Sequence, residues 1–275
     1  MTNLPRALTI AGSDCSGGAG IQADLKTFHR FGVFGMSAVT AVVAENTVGV
    51  QGWTAVPPEM VALQIESCLG DVGADAGKTG MLVDAPTVRA VAQALGRFPL
   101  ANLVVDPVMR AKSGDPLIAP QAVDALVKEI FPLALVVTPN VPEAEALAGF
   151  PLHAEADFRR AAQAIREMGP RIVVMKGGHS DVNPKGSSVD FVWDGLRWEA
   201  LEGRRSSDRN THGTGCTFSA AAAAGLALGL GPMEALRRAK AFITEAIATA
   251  PGLGHGHGPV NHWAGSAKGH FGGRE

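Results

Sequence analysis

Short apolar runs alternate along the chain with stretches in which apolar residues recur every three to four positions. Ala7–Ala11 (ALTIA), Leu103–Asp106 (LVVD), Ala134–Thr138 (ALVVT) and Arg171–Met175 (RIVVM) are such runs, and each reads as a strand buried on both faces. Met36–Ala44 predicts one further strand, Ala76–Leu82 a short strand running into a loop, and Thr47–Thr54 a glycine-interrupted flap. Ile21, Leu25, Phe28 and Phe31 have helical spacing. Pro57-Pro58 opens a second helix, through about Leu69. Asp84 is placed to N-cap a third, with Pro86 in its first turn and an end near Gly96. Further helices are predicted over Ala122–Ile130, after Pro142, over Glu155–Met168, within the small apolar run Phe218–Leu230, and from Pro232 to about Ala250. Val189–Trp193 and Leu196–Leu201, joined by Asp194-Gly195, predict a hairpin.

Strands alternating with helices imply an α/β fold: a doubly wound, mostly parallel central sheet with helices on both faces. No internal repeat is present, and glycine and proline are spread evenly. One domain over residues 1–263 is expected, with 264–275 a disordered tail. In such sheets ligands bind beyond the carboxyl ends of the strands. A polar or charged group follows nearly every predicted strand: Gly12–Asp14, Glu45, Lys78, Asp106, Asn140 and Lys176. A sheet built for stability alone has no need of them.

Composition narrows the chemistry. The chain has 275 residues, 46% of them apolar, which is enough for a sizeable core. A net charge of −2 gives no basic field for nucleic acid and no polybasic membrane patch. The three cysteines are few and widely spaced, which argues against a disulfide framework and for a reducing, cytoplasmic setting. The Met-Thr-Asn-Leu-Pro-Arg start lacks the apolar core of a signal peptide, and no uninterrupted apolar stretch is long enough to span a bilayer.

The stretch Asn210-Thr-His-Gly-Thr-Gly-Cys-Thr-Phe-Ser-Ala concentrates the candidate chemistry. Gly213 and Gly215 permit a tight turn, and Cys216 sits where that turn becomes a helix. Unpaired N–H groups and the helix dipole there favour an anion. On its own the stretch reads equally as a loop before a buried helix with a structural cysteine. Two other patterns are near misses. Gly77-Lys78-Thr79 ends like a Walker loop but has three residues rather than four between Gly73 and Gly77. Gly18-Ala-Gly20-Ile-Gln-Ala23 matches a dinucleotide fingerprint but lies about six residues past its strand.

Seven segments in order carry a resemblance to a known family. They are Ala11–Lys26, Lys78–Leu82, Val105–Met109, Lys112–Leu117, Thr138–Ala144, Lys176–His179 and Asn210–Thr217. Together they resemble the hydroxymethylpyrimidine and phosphomethylpyrimidine kinases of thiamine biosynthesis, within the ribokinase-like superfamily. The resemblance spans about Leu8 to His262. It implies transfer of a phosphoryl group from ATP to a small pyrimidine, 4-amino-5-hydroxymethyl-2-methylpyrimidine, and then to its monophosphate, with Mg²⁺. It further implies that the N–H groups of Gly213, Thr214 and Gly215 hold the transferring group and that Cys216 is the general base. A helix N-terminus is expected to lower that thiol's pKa. Asp106, Asn140 and Glu143 would organise Mg²⁺, partly through water. Asn140 and Glu143 would otherwise be a capping pair before a helix. Lys176, Asp106 and Thr211 would meet ATP. Gly12, Asp24, Glu45, Met81 and Val108 would line the substrate site, Asp24 otherwise being a solvated helix position. Lys112 has two readings, a clamp on the monophosphate or a surface lysine. The resemblance also suggests a homodimer, with the Met36–Thr54 region as contact or lid.

Glu45 departs from the family's usual glutamine. A carboxylate only accepts hydrogen bonds, whereas an amide also donates. Either the ring binds protonated or the substrate presents two donors. A pyridoxine or pyridoxal kinase of the same fold is therefore the nearest alternative, and a catalytically silent nucleotide-binding module is one from another class. His255-Gly-His257 looks like a metal tract, but no third ligand stands near it in sequence.

Overall fold

The computed structural model describes residues 4–109, 119–177, 187–206 and 210–265. Lys112, His179 and residues 266–275 of the predicted tail lie outside the described residues. The strands are β1 (Arg6–Ala11), β2 (Phe34–Val39), β3 (Ala41–Asn46), β4 (Gly49–Ala55), β5 (Ala76–Thr79), β6 (Leu103–Val105), β7 (Val136–Val137), β8 (Ile172–Lys176), β9 (Ser187–Trp193) and β10 (Trp198–Arg204). The helices are α1 (Gly20–Arg30), α2 (Pro58–Ser67), α3 (Ala85–Arg97), α4 (Pro120–Ala125), α5 (Val141–Ala148), α6 (Glu155–Glu167), α7 (Thr214–Ala227) and α8 (Pro232–Ala248). Single wide turns at Cys68–Val72 and Leu126–Ile130 extend α2 and α4.

Eight strands form one sheet in the order β10-β9-β8-β7-β6-β5-β1-β2, parallel from β8 to β2 and antiparallel at β8/β9 and β9/β10. Alternating side chains give it two buried faces. Leu8, Leu103, Val105, Val137 and Val173 point to the layer of α2–α6. Ala7, Val104, Val136 and Val174 point to the layer of α1, α7 and α8. This double burial is why the parallel strands read as continuous apolar runs. The chain winds from β1 to β2 on one side of β1 and later returns to β5 on its other side, so a ligand crevice is expected beyond the carboxyl ends of β1 and β5.

Three predicted elements differ. Met36–Ala44 is two strands rather than one. Buried Thr40 ends the pairing with β1, its N–H donating to Ala11 O at 3.0 Å and its hydroxyl to Met81 O at 2.6 Å. The chain then leaves the main sheet, and β3 pairs only with β4. Apolar residues continue across the break, so periodicity hid it. The second hairpin pairs Trp193 with Trp198, so its loop is wider than Asp194-Gly195. Asp194 Oδ1 accepts the Leu196 and Arg197 N–H groups at 2.8 and 2.6 Å, leaving Leu196 90% exposed in the turn. The predicted tail does not begin at 264, because Ala264 is buried and its carbonyl accepts from Arg30 Nε at 2.9 Å. Among the described residues, no helix is long and apolar enough to cross a membrane.

Candidate active site

A cleft of about 790 Å³ opens along the carboxyl ends of the strands. Its lining includes Gly12, Glu45, Met81, Asp106, Val108, Asn140, Glu143, Lys176, Thr211 and the whole turn from Gly213 to Cys216. Thirteen of the fourteen residues expected at the site are therefore brought together. The exception is Asp24.

Asp24 lies on the inner face of α1 and is fully buried. Its carboxylate pairs with fully buried Lys78 Nζ at 2.8 Å and accepts the Thr9 hydroxyl at 2.6 Å. It is neither a surface position nor part of the cleft wall, which corrects both readings of the sequence. The helical stripe Ile21, Leu25, Phe28 and Phe31 hides Asp24 one position from Leu25, so nothing local marks it as buried. Lys78 accounts for it: a buried ammonium needs an anion. Burial works to lower the Lys78 pKa, but the charges of Asp24, Cys216 and Asp106 and the Asp24 hydrogen bond together outweigh it, and the pKa is raised. The Walker-like Gly77-Lys78-Thr79 is thus buried strand rather than phosphate loop.

Gly213 begins α7 at φ +77°, a left-handed conformation open chiefly to glycine. A Cβ there would lie 1.8 Å from Gly18 O, so the turn is seated directly on the glycine loop. Thr217 N–H makes the first turn-closing bond of α7, to Gly213 O at 2.8 Å. The N–H groups of Gly215 and Cys216 precede it, in the part of a helix whose donors lack intrahelical partners. Thr214 N–H instead donates to Thr211 O at 3.3 Å, and its hydroxyl does so at 2.7 Å. The expected trio of anion donors loses that member to the turn itself.

A Cβ on Gly215 would stand 3.2 Å from Lys176 Nζ and 3.3 Å from Asp106 Oδ2. The turn therefore backs onto a cation and a carboxylate that are themselves 2.8 Å apart. Burial works against the charge on Lys176, but Asp106 and Glu143 more than offset it, and its pKa is raised. Asn140 and Glu143 form a capping box at the start of α5. Asn140 Oδ1 accepts Glu143 N–H at 2.9 Å, and Glu143 Oε2 accepts Asn140 N–H at 2.8 Å. Burial, reinforced by the charge of Asp106, pushes the Glu143 carboxyl up to about 7. The charge of Lys176 opposes that rise.

Cys216 is half-buried. Burial pushes its thiol up to about 11, against the opposing influence of Lys78 and of the Gly20 N–H, and the charges of Asp24 and Asp106 add to the rise. The expected lowering does not occur in this state. Desolvation is the largest influence, and two carboxylates add to it.

Sequence reasoning gave no role to His212 or Asp14. Both are buried, with His212 Nε2 2.8 Å from Asp14 Oδ2 and 3.6 Å from Glu45 Oε1. Asp14 also accepts N–H bonds from Ser16, Gly18 and Ala19 at 2.7–2.9 Å and so shapes the glycine loop. Burial would raise its carboxyl, but the bonds from His212, Ser16 and Ala19 hold it well below the usual range. No local signal in the sequence joins residues 198 positions apart. Also in the cleft lining, and also unanticipated, Lys240 pairs with Asp190 at 2.8 Å.

The phosphomethylpyrimidine kinase family model matches residues 14–261. A hydroxymethylpyrimidine/phosphomethylpyrimidine kinase of Haemophilus influenzae is 47% identical over 266 residues, covering 96% of this chain and 98% of its own. The thiamine biosynthesis bifunctional protein of Geobacter sulfurreducens is 49% identical over 255 residues, 93% of this chain, and the match spans about half (51%) of that longer protein. Among solved structures, an ADP complex of Bacillus subtilis pyridoxal kinase superposes with a TM-score of 0.87 at 39% identity, covering 95% of this chain and 98% of that one. A phosphomethylpyrimidine kinase from Clostridium difficile gives a TM-score of 0.78 at 41% identity, covering 88% and 99%.

Proposed function

The chain belongs to the phosphomethylpyrimidine kinase family, and from that membership we infer that it is a phosphotransferase of thiamine biosynthesis. It phosphorylates 4-amino-5-hydroxymethyl-2-methylpyrimidine, and then the monophosphate, at the expense of ATP. One observation carries the reading onto this chain: the Gly213–Gly215 turn backs onto Lys176 and Asp106 within a single cleft. Phosphoryl transfer asks mainly for positioning and charge stabilisation, and that arrangement offers both.

The residues divide the work as follows. The α7 N-terminus at Gly213 and Gly215 holds the phosphoryl group in flight. Lys176 is a point charge for the ATP phosphates, and Thr211 borders them. Cys216 takes the proton from the substrate hydroxyl. With the thiol near 11, only a small fraction is thiolate near neutral pH, and that fraction is the form able to accept the proton. Glu45 recognises the polar edge of the ring, while Gly12, Met81 and Val108 border its faces.

Asp106, just after β6, and Asn140 and Glu143, at the start of α5, supply hard oxygen donors. The raised Glu143 carboxyl fits a site made for a cation. Mg²⁺ bound there would neutralise charge on the phosphates. Asp106 and Glu143 belong to no described cluster of three His, Cys, Asp or Glu ligand atoms within 4.8 Å, and the capping box occupies Asn140. These residues would hold Mg²⁺ partly through water, as its slow dehydration favours.

Half-exposed Phe34, Val42, Trp53, Met60 and Leu63 lie on β2, β3, β4 and α2. Val42 and Trp53, exposed on the two strands of the β3–β4 hairpin, support a homodimer through that hairpin. The three free cysteines support a cytoplasmic setting. The likeness to pyridoxal kinases favours one second reading, a kinase for a pyridine alcohol. A single assay decides: ADP release with Mg-ATP and hydroxymethylpyrimidine, its monophosphate, pyridoxal or ribose in turn. Turnover of both pyrimidines is expected. Preference for pyridoxal would support the second reading, and silence with all four a nucleotide-binding module. Removal of Mg²⁺ with EDTA is expected to abolish turnover, and light scattering to give twice the monomer mass.

A further inference from the structure

The Gly-His-Gly-His-Gly tract beyond α8 plays no part in the site described above. Its histidines, His255 and His257, are exposed. Among the described residues neither joins a cluster of three metal-ligand atoms within 4.8 Å. Its glycines are what the fold uses. A Cβ on Gly254 would come 2.3 Å from Thr47 Oγ1, one on Gly256 2.0 Å from Thr47 O, and one on Gly258 2.3 Å from Asn210 Oδ1. Only a hydrogen fits at each position.

The two contacted segments are functionally distinct. Thr47 follows β3, in the turn of the hairpin that carries Glu45. Asn210 and His212 lead into the Gly213 turn. Hydrogen bonds tie the tract to both. Gly256 and His257 N–H donate to Thr47 Oγ1 and Thr47 O at 3.2 and 2.8 Å. Gly258 N–H donates to Asn210 Oδ1 at 3.1 Å. His212 then gives its N–H to Gly258 O at 3.0 Å and accepts Val260 N–H at 3.3 Å. Beyond the tract the chain is fixed to the body by Asn261 N–H on Ala246 O at 2.9 Å and by His262 Nε2 3.1 Å from Thr217 Oγ1.

We propose that residues 254–260 are a strap that sets the position of the acceptor-binding hairpin relative to the anion turn, making Gly254, Gly256 and Gly258 positioning residues for phosphoryl transfer. This rests on the kinase reading above. In-line transfer requires acceptor and phosphate in register, and a misplacement of about 1 Å can cost on the order of 100-fold in rate. The strap touches both partners of that register and neither reacting atom.

Gly254→Ala tests it, with Gly252→Ala as the matched control. Both glycines have positive φ, +79° and +66°, but nothing lies within 4 Å of a Cβ on Gly252. Gly254→Ala is expected to lower kcat/KM for the pyrimidine by about tenfold or more, through both kcat and the acceptor KM, with the ATP KM unchanged. Gly252→Ala should stay within about twofold of wild type. Thr47→Gly removes the three atoms nearest the Gly254 Cβ. Alone it should raise the acceptor KM about threefold, and combined with Gly254→Ala it should return activity to its own level. Equal behaviour of Gly254→Ala and Gly252→Ala, or failure of Thr47→Gly to rescue, overturns the strap. Should Gly254→Ala not fold, an unchanged acceptor KM in Thr47→Gly alone overturns it too. A wild-type enzyme inactive on the pyrimidine would overturn the kinase reading and the strap with it, a result distinct from a loss confined to Gly254→Ala.

Discussion

Lys78 Nζ lies 2.8 Å from Asp24 Oδ2, and both side chains are fully buried. The pair joins α1 to β5, on the strand next to β1. It keeps an ammonium charged beneath Cys216, whose thiol feels that charge. Breaking a buried pair by removing one member leaves the other uncompensated, at about 3–5 kcal/mol. Asp24→Asn is therefore expected to lower unfolding stability by about that amount, measured by urea denaturation. Asp24→Leu with Lys78→Met should lose much less. A single variant as stable as wild type would show that the pair is not held charged.

Cys216→Ala is expected to lower kcat by about 10²–10⁴-fold, the usual worth of a positioned base, with nucleotide affinity nearly unchanged. The pH profile adds a second check. With the free-enzyme thiol near 11, wild-type kcat/KM should climb with pH through the range 7–10, since only the deprotonated form accepts a proton. A profile already flat at pH 7 would exclude Cys216 as the base in the state described.

The strand ends were legible because parallel strands buried on both faces are continuous apolar runs, and the polar residue that stops each run faces the cleft. Asp106 and Lys176 follow that rule. Lys78 does not: it lies within β5 and points into the protein. Residue type alone cannot distinguish a strand-end lysine from one a position earlier whose partner comes from another helix. The thiol's environment was misread for a related reason. The helix N-terminus is local and visible in sequence, whereas the burial and the carboxylates, Asp24 on α1 and Asp106 just after β6, come together only in the fold. The pairing of His212 with Asp14 and Glu45 likewise exists only in three dimensions.

His262 gives a pH-dependent stability term. Burial, with the charges of Lys26 and His212, lowers its pKa to about 4, from an ordinary 6.5. The folded state thus holds it neutral, beside Thr217. A histidine whose folded pKa is depressed contributes fully above its unfolded pKa, and the contribution is lost as pH falls from about 6.5 towards 4. A shift of this size corresponds to roughly 3 kcal/mol at most. Urea midpoints measured between pH 7 and 4.5 should fall more steeply for wild type than for His262→Gln, which cannot titrate. Parallel curves for the two proteins would show that His262 is not the group responsible.

Glu45 has His212 Nε2 3.6 Å from its Oε1 and borders the cleft proposed to receive the ring. Its carboxylate accepts hydrogen bonds and donates none, while a glutamine would offer one of each. If Glu45 binds the pyrimidine, it binds best when the ring carries a proton and supplies the second donor, in a charge-assisted bond. Raising the pH removes that proton and weakens wild type selectively. Glu45→Gln should therefore retain or improve kcat/KM for the pyrimidine near neutral pH. The ratio of variant to wild type should also grow as pH rises. Taking the ratio cancels the dependence that both enzymes inherit from Cys216. A ratio that stays constant with pH, or a collapse of the variant on a pyrimidine that wild type turns over well, would rule out recognition of a protonated ring.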